Sequence, residues 1–206
     1  TSWGSPVIAE VDGRAQVVTT GTKQIRGYDL ETGEVLWHGK GLTDNPIPTP
    51  VVAGDTAYFM SGFRGCALVA VRLTGAKGDI EGTPAILWSA PEDTPYVPSP
   101  VATGGLLYFF KSNSGILTAR DLHSGERRIG PERLETVENV QASPVAAAGR
   151  VYLVGRDGGV EVLAAKPELE VLARNKLDER FSASPALAGK ELYLRGDAHL
   201  YCLAQD

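Results

Sequence analysis

One pattern returns five times along the chain. A small residue, a proline and an apolar residue open each copy: Ser5-Pro6-Val7, Thr49-Pro50-Val51, Ser99-Pro100-Val101, Ser143-Pro144-Val145 and Ser184-Pro185-Ala186. The prolines stand 44, 50, 44 and 41 residues apart. Eight positions after four of them comes a tyrosine, at Tyr58, Tyr108, Tyr152 and Tyr193. Between each proline and that position lies a turn glycine: Gly13, Gly54, Gly104, Gly149 or Gly189. The first copy lacks the tyrosine; a first turn about three residues longer puts Val17 in its place. Such a period restricts the chain to stacked copies of one supersecondary unit, because no copy can bury its apolar face alone.

Each copy reads as short strands. Proline suits a strand's start, where its missing N–H breaks no ladder bond. An apolar stretch leads to the glycine turn, as at Asp12-Gly13 or Gly104-Gly105, which supplies the positive φ of a tight hairpin. A second strand follows (Ala57–Met60, Val151–Val154), then a Gly-rich turn (Ser61-Gly62-Phe63-Arg64-Gly65, Gly155-Arg156-Asp157-Gly158), then a third strand (Leu68–Val71, Ile116–Ala119, Leu200–Leu203). A further turn leads to a fourth strand such as Val35-Leu36-Trp37. The 24 Gly and 13 Pro are spread along the whole length and punctuate these strands. No long stretch combines helical spacing with capping signals. Four strands per copy predict an all-β chain of propeller blades, with approximate units 1–44, 45–94, 95–138, 139–179 and 180–206.

Composition removes other classes. A net charge of -5 argues against a nucleic-acid binder, which needs a basic surface. No apolar run reaches the roughly 18 residues of a membrane span. The two cysteines, Cys66 and Cys202, fall in different units, so free thiols are expected, with Cys202 buried as a small hydrophobe. His38, His123 and His199 show no ligand spacing, and no nucleophile elbow, zinc-protease motif or phosphate loop is present.

The run Tyr28-Asp29-Leu30-Glu31-Thr32-Gly33-Glu34-Val35-Leu36-Trp37 resembles the repeat of PQQ-like propeller proteins of bacteria. Arg120-Asp121-Leu122-His123-Ser124-Gly125-Glu126 is a weaker copy, with Ile129 in place of the tryptophan. In the second unit an insertion around Thr74 to Thr83 precedes Ile86-Leu87-Trp88, and the fourth unit has lost both turn and tryptophan. The chain is also similar in repeat type to the lipoprotein of the Gram-negative outer-membrane assembly machine. The resemblance implies a β-propeller of the PQQ/WD40-like kind, with about four and a half four-stranded antiparallel blades in this chain. It implies a ring of seven or eight blades in all, and a tryptophan that docks neighbouring blades. The fifth unit ends after its third strand, so the chain is expected to be the C-terminal part of a longer protein. Other blades or another chain would then complete the ring. A self-closed five-bladed ring with an unpaired edge is the alternative.

The resemblance places two sets of loops on the ligand-binding end. Turns between second and third strands carry Lys23, Arg64, Lys111, Asn113, Arg156, Asp157, Arg195 and Asp197. Connectors between blades carry Asp44, Asn45, Glu92, Asp93, Tyr96, Asn139, Gln141 and Arg180. A basic residue in each inter-strand turn could line a funnel for an acidic group; solvation of short turns explains the same residues. Family quinoproteins use a catalytic aspartate, a Glu/Asn calcium site and adjacent cysteines, none of which can be matched here. No catalytic, cofactor or metal residue is therefore assigned, and PQQ is implied by the repeat's name alone. The expected function is a non-catalytic scaffold in the cell envelope, periplasmic or extracellular, with room for an anchor upstream of Thr1 and with a protein as partner. A relative or part of a PQQ-dependent quinoprotein dehydrogenase is the alternative.

Overall fold

The structure is a computed structural model and describes residues 2–204. Among the described residues every regular element is a strand. The first blade holds β1 (Val7–Val11), β2 (Arg14–Gly21), β3 (Gln24–Asp29) and β4 (Val35–Gly39). The second holds β5 (Val51–Ala53), β6 (Thr56–Ser61), β7 (Ala67–Arg72) and β9 (Ile86–Ala90), and its insertion contributes β8 (Gly78–Asp79). The third holds β10 (Val101–Thr103), β11 (Leu106–Phe110), β12 (Ile116–Asp121) and β13 (Arg127–Arg133). The fourth holds β14 (Val145–Ala147), β15 (Arg150–Val154), β16 (Gly159–Ala164) and β17 (Val171–Lys176). The fifth holds β18 (Ala186–Ala188), β19 (Glu191–Arg195) and β20 (Leu200–Ala204). Within each blade neighbours in sequence pair antiparallel, giving four four-stranded meanders and one three-stranded sheet, the arrangement of propeller blades.

The chain forms two compact units. One comprises residues up to Ser99 with His123–Gly125; the other comprises Pro100–Leu122 and the chain from Glu126 onward. The core of unit 1 joins Val18, Ile25 and Trp37 of the first blade to Ala57, Phe59, Val69 and Val71 of the second. Unit 2 has one core of Tyr108, Leu117, Ile129, Val151, Leu153 and Leu163, and another of Val154, Val160, Phe181 and Leu194.

All five opening hairpins close through two-residue turns. Positive φ at Asp12 and Gly13, or at Gly54 alone, matches the primed turns that suit the twist of the strands. The residue after each proline pairs with the repeat tyrosine, as Val51 does with Tyr58 and Val101 with Tyr108. In the first blade Val7 pairs with Val18, which corrects the assignment of Val17. The extra length lies in the strands, two residues on each, and the turn stays tight. A two-residue turn permits only even additions, because one residue more would flip every side chain to the other face. Val18 is accordingly fully buried while Val17 lies on the other face, half-buried.

The Asp…Thr-Gly signature holds the turn before the fourth strand. Asp29, only 4% exposed, accepts bonds from Thr32 N at 2.7 Å, Thr32 Oγ1 at 2.9 Å and Glu31 N at 3.1 Å, and from Arg14 Nε. These donors, the Thr32 amide foremost, hold its carboxyl at about 2, well below the usual aspartate range. Trp37 is fully buried, lies edge-on to Phe59 at 6.1 Å and donates from Nε1 to Gln16 Oε1 at 2.8 Å. It therefore docks the first blade on the second, a burial that contributes on the order of 3 kcal/mol. Trp88 packs on Tyr58 at 5.8 Å. Ile129, in the tryptophan's place, joins the core against Val151 and Leu163.

In all four complete blades the fourth strand carries a register shift at the same rung, beside Gly27, Ala70, Ala119 and Val162. The insertion of the second unit has a role of its own. Its β8 pairs parallel with β4 and covers the outer edge of the first blade, with Ile80 buried behind it. Cys66 precedes β7, and both thiols are free. Cys202 is exposed, contrary to the expectation of burial. It lies on the outermost strand of a sheet in which no fourth strand pairs among the described residues.

Candidate functional site

Within each unit the inter-strand turns and the blade connectors meet at one end of the sheets. In unit 1 Lys23 N donates to Thr43 O at 3.1 Å, Lys23 Nζ stands 3.8 Å from Asp44 Oδ1, and Asn45 N reaches Thr22 Oγ1 at 3.4 Å. Ser61, at the end of β6, accepts from Thr43 N at 2.8 Å and Thr43 Oγ1 at 2.9 Å. Its carbonyl accepts from Thr94 Oγ1 at 2.7 Å. Gly62 lies so close to the next connector that a Cβ there would stand 2.4 Å from Pro95 O. That approach sets Phe63 against Tyr96, stacked at 5.5 Å with planes 22° apart. The Arg64 guanidinium lies 5.2 Å over the Phe63 ring. Arg64 is exposed, and both rings are half-buried. A cation, an aromatic pair and a backbone too tight to move thus form one small platform. Glu92 and Asp93 lie earlier in the same connector, with Asp93 buried.

In unit 2 several candidates spend main-chain groups on holding loops together. Asn113 O accepts from Val140 N at 2.8 Å, Asn139 O from Arg156 N at 2.6 Å, Arg156 O from Phe181 N at 3.3 Å, and Arg180 O from Asp197 N at 3.1 Å. Lys111 O takes Ser114 N at 3.1 Å, and Gln141 follows Val140 in the connector. Asp157 Oδ2 stands 3.9 Å from Lys176 Nζ, and Arg195 Nε donates to the carbonyl of Gly196 at 2.8 Å. The basic residues of these turns thus have separate local surroundings, and the Arg156 Nε is buried with no bond.

Two glutamates that sequence reasoning passed over anchor this end of unit 2. Glu161 is fully buried in β16, and its Oε1 accepts from Thr136 N at 2.7 Å and Thr136 Oγ1 at 3.1 Å. Glu179 accepts from Tyr201 OH at 2.6 Å and His199 N at 2.9 Å, and from Ala198 N. The Tyr201 hydroxyl foremost holds its carboxyl at about 2. A charge inside the apolar run Val160-Glu161-Val162, and an aromatic between the glycines of Gly62-Phe63-Arg64-Gly65, were the available signals.

Two clefts are lined by other residues. One of about 440 Å³ in unit 1 is lined by Lys40, Cys66, Val69, Ile86 and Ala90, and one of about 540 Å³ in unit 2 by Tyr152, Leu187, Leu192 and Leu203. None of Asp44, Asn45, Arg64, Tyr96, Arg156 or Asp197 lines either. Among the described residues no group of three or more His, Cys, Asp or Glu side chains could hold a metal ion. No described helix is long and apolar enough to cross a membrane.

Comparison with known proteins places these features in a family. Among solved structures, the computationally designed Ika8 protein superposes with a TM-score of 0.69 at 11% identity, over 96% of this chain and 57% of that one. The chain thus spans little more than half the length of that protein. The designed Ika4 protein gives 0.54 at 9% identity, over 75% of this chain and 88% of that one. These likenesses concern the fold alone. BamB from Moraxella catarrhalis gives 0.47 at 15% identity, over 95% of this chain and 67% of that one. No curated protein sequence matches. The family model described as outer membrane protein assembly factor BamB matches residues 1–206, and the chain belongs to that family of PQQ-like repeat proteins.

Proposed function

We propose that the chain is a non-catalytic propeller scaffold of the bacterial cell envelope that docks a protein partner through the loop end of unit 1. The observation that carries this reading is the stack of Arg64, Phe63 and Tyr96 on a tightly approached backbone. Aromatic residues and arginine dominate the energetic centres of protein interfaces, where a rigid, half-covered ring gives up little freedom on binding. The family's description as an outer-membrane protein assembly factor supports a partner within that machinery and a periplasmic or extracellular location. The reading needs neither quinone nor metal. With PQQ and calcium added, we expect no dye reduction with alcohol or sugar substrates.

A photo-crosslinking residue in place of Tyr96, in cells of the source organism, tests the interface. The expected product is an adduct with a component of the outer-membrane assembly machinery, lost in Phe63→Ala. Weakening by Phe63→Ala of about thirtyfold or more is the scale of an interface anchor. Adducts from distant surface positions but none from position 96 would overturn the reading.

A further inference from the structure

We infer that the hydroxyl in front of a repeat proline is a latch between neighbouring blades, and that Ser99 uses it to position the Phe63–Tyr96 stack. The small residue of the motif carries a hydroxyl in all five copies: Ser5, Thr49, Ser99, Ser143 and Ser184. Three bonds give the reason. In unit 1 Ser5 N donates to Thr49 Oγ1 at 3.4 Å, and Thr49 N donates to Ser99 Oγ at 2.9 Å. In unit 2 Ser143 N donates to Ser184 Oγ at 2.9 Å. The partners are 44, 50 and 41 residues apart, which are steps of the repeat itself. Thr49 plays both parts, accepting with its hydroxyl and donating with its amide.

Proline creates the need. It holds the residue before it in extended backbone and brings no N–H of its own. The hairpin ladder opens only after it, where Val51 pairs with Tyr58 and Val145 with Tyr152. The amide before the proline is therefore the last donor of its connector and stands outside its own ladder, next to the buried Pro50 or Pro144. A main-chain donor so placed must be answered from elsewhere. The answer comes from the following blade, so the latch has a direction: each hydroxyl serves the repeat before its own. Ser99 closes the connector that carries Tyr96, and Thr49 closes the one that carries Asp44 and Asn45. Their bond ties the ends of these two connectors together.

The direction supplies the test, read by amide exchange at single residues. Ser99→Ala should speed exchange at Thr49, 50 residues upstream, about tenfold relative to the core amide of Phe59. Ser184→Ala should do the same at Ser143, relative to Leu153. Thr49→Val keeps the shape and removes the oxygen; it should speed Ser5 only about threefold, because that bond is the longest of the three. Ser99→Thr should restore the natural rate at Thr49, since threonine already serves as acceptor at position 49. The ring-proton shifts of Tyr96, set by its stack on Phe63, should move in Ser99→Ala and return in Ser99→Thr. One arm needs no variant: in the natural protein Thr49 and Ser143 should exchange more slowly than Ser5. Acceleration confined to the substituted residue, equal acceleration at Thr49 and Phe59, or a Ser99→Thr protein no better than Ser99→Ala would each overturn the latch. So would a Ser5 amide as slow as that of Thr49. Tyr96 shifts indifferent to Ser99→Ala would overturn the positioning role of Ser99. The use of that role in docking rests on the proposed function, but no partner enters these readouts, so they fail or succeed apart from the crosslinking test.

Discussion

In unit 1 the connector residue Thr43 gives its N–H and its hydroxyl to the Ser61 hydroxyl oxygen, at 2.8 and 2.9 Å. In unit 2 Thr136 gives the same two groups to one oxygen of Glu161, at 2.7 and 3.1 Å. The demand is identical, because a connector pressed against a sheet must have its amide answered. The answers differ in charge. A carboxylate only accepts, so it cannot turn a competing donor toward the threonine, and charge-assisted bonds are the stronger kind. It also brings a buried charge, and the other oxygen of Glu161 has no bond. Unit 2 repeats the choice at Glu179, whereas in unit 1 a hydroxyl holds the Thr43 connector and stacked rings meet at Phe63 and Tyr96, with the exposed Lys23–Asp44 pair beside them. Neutral fastening makes a contact indifferent to pH; charged fastening gives a firmer hold that is lost when the carboxylate is protonated.

The sharpest separation should come from deleting each acceptor. Glu161→Ala leaves a buried amide and hydroxyl unanswered and removes charge-assisted bonds, a loss of about 3 kcal/mol. Ser61→Ala removes neutral bonds of a smaller side chain and should cost about 1 kcal/mol. Urea midpoints of the two variants, at unchanged slope, make the comparison. Glu161→Gln should fall between them, since its amide oxygen still accepts. Equal costs for Glu161→Ala and Ser61→Ala would end the distinction between the two modes of fastening.

Acid should act on the two loop ends differently. The Glu179 carboxyl is lowered from 4.5 to about 2 in the folded protein. Its contribution is therefore fully present above the unfolded value and disappears as pH falls from 4.5 toward 2. Amide exchange at Ala198 and His199, both bonded to Glu179, should accelerate through that window, and in Glu179→Gln should already be fast at neutral pH. The Thr43 amide, bonded to a hydroxyl, should keep its protection across the same range. Asp29 titrates in a similar window, but it holds the turn before β4 and not the loop end. Parallel loss at Thr43 would show that both ends share an acidic support.

Periodicity carried the blades into view from the sequence because proline, glycine and tyrosine each act locally. The proline starts a strand, the glycine permits the turn, and the tyrosine marks the paired position. Val18 escaped because an insertion shared between two strands looks, in one dimension, like a longer turn. Cys202 escaped because its neighbours are apolar, and an edge is a property of pairing. The loop candidates were placed by type and position, and Arg64 and Tyr96 did come together; Phe63, which joins them, was hidden because its role depends on a contact 33 residues away. Thr136 and Glu161 lie 25 residues apart, and only the folded chain shows that one answers the other.

The smallest effect tests whether Glu161 acts as an acceptor or as half of an ion pair. Arg174 Nε stands 3.8 Å from Glu161 Oε2, and its NH2 group stands 2.9 Å from the exposed Glu135. The arginine side chain is 40% exposed, so water screens its attraction to both carboxylates. Arg174→Ala should therefore cost less than about 1 kcal/mol, and molar salt should erase most of that loss. Glu161→Ala should keep most of its cost in the same salt, because the bonds from Thr136 are short and buried. A loss on Arg174→Ala close to that of Glu161→Ala, with coupling between the two in a double-mutant cycle, would recast the fastening of unit 2. It would then be a buried ion pair, and the contrast with Ser61 would become one of pairing and not of hydrogen-bond strength.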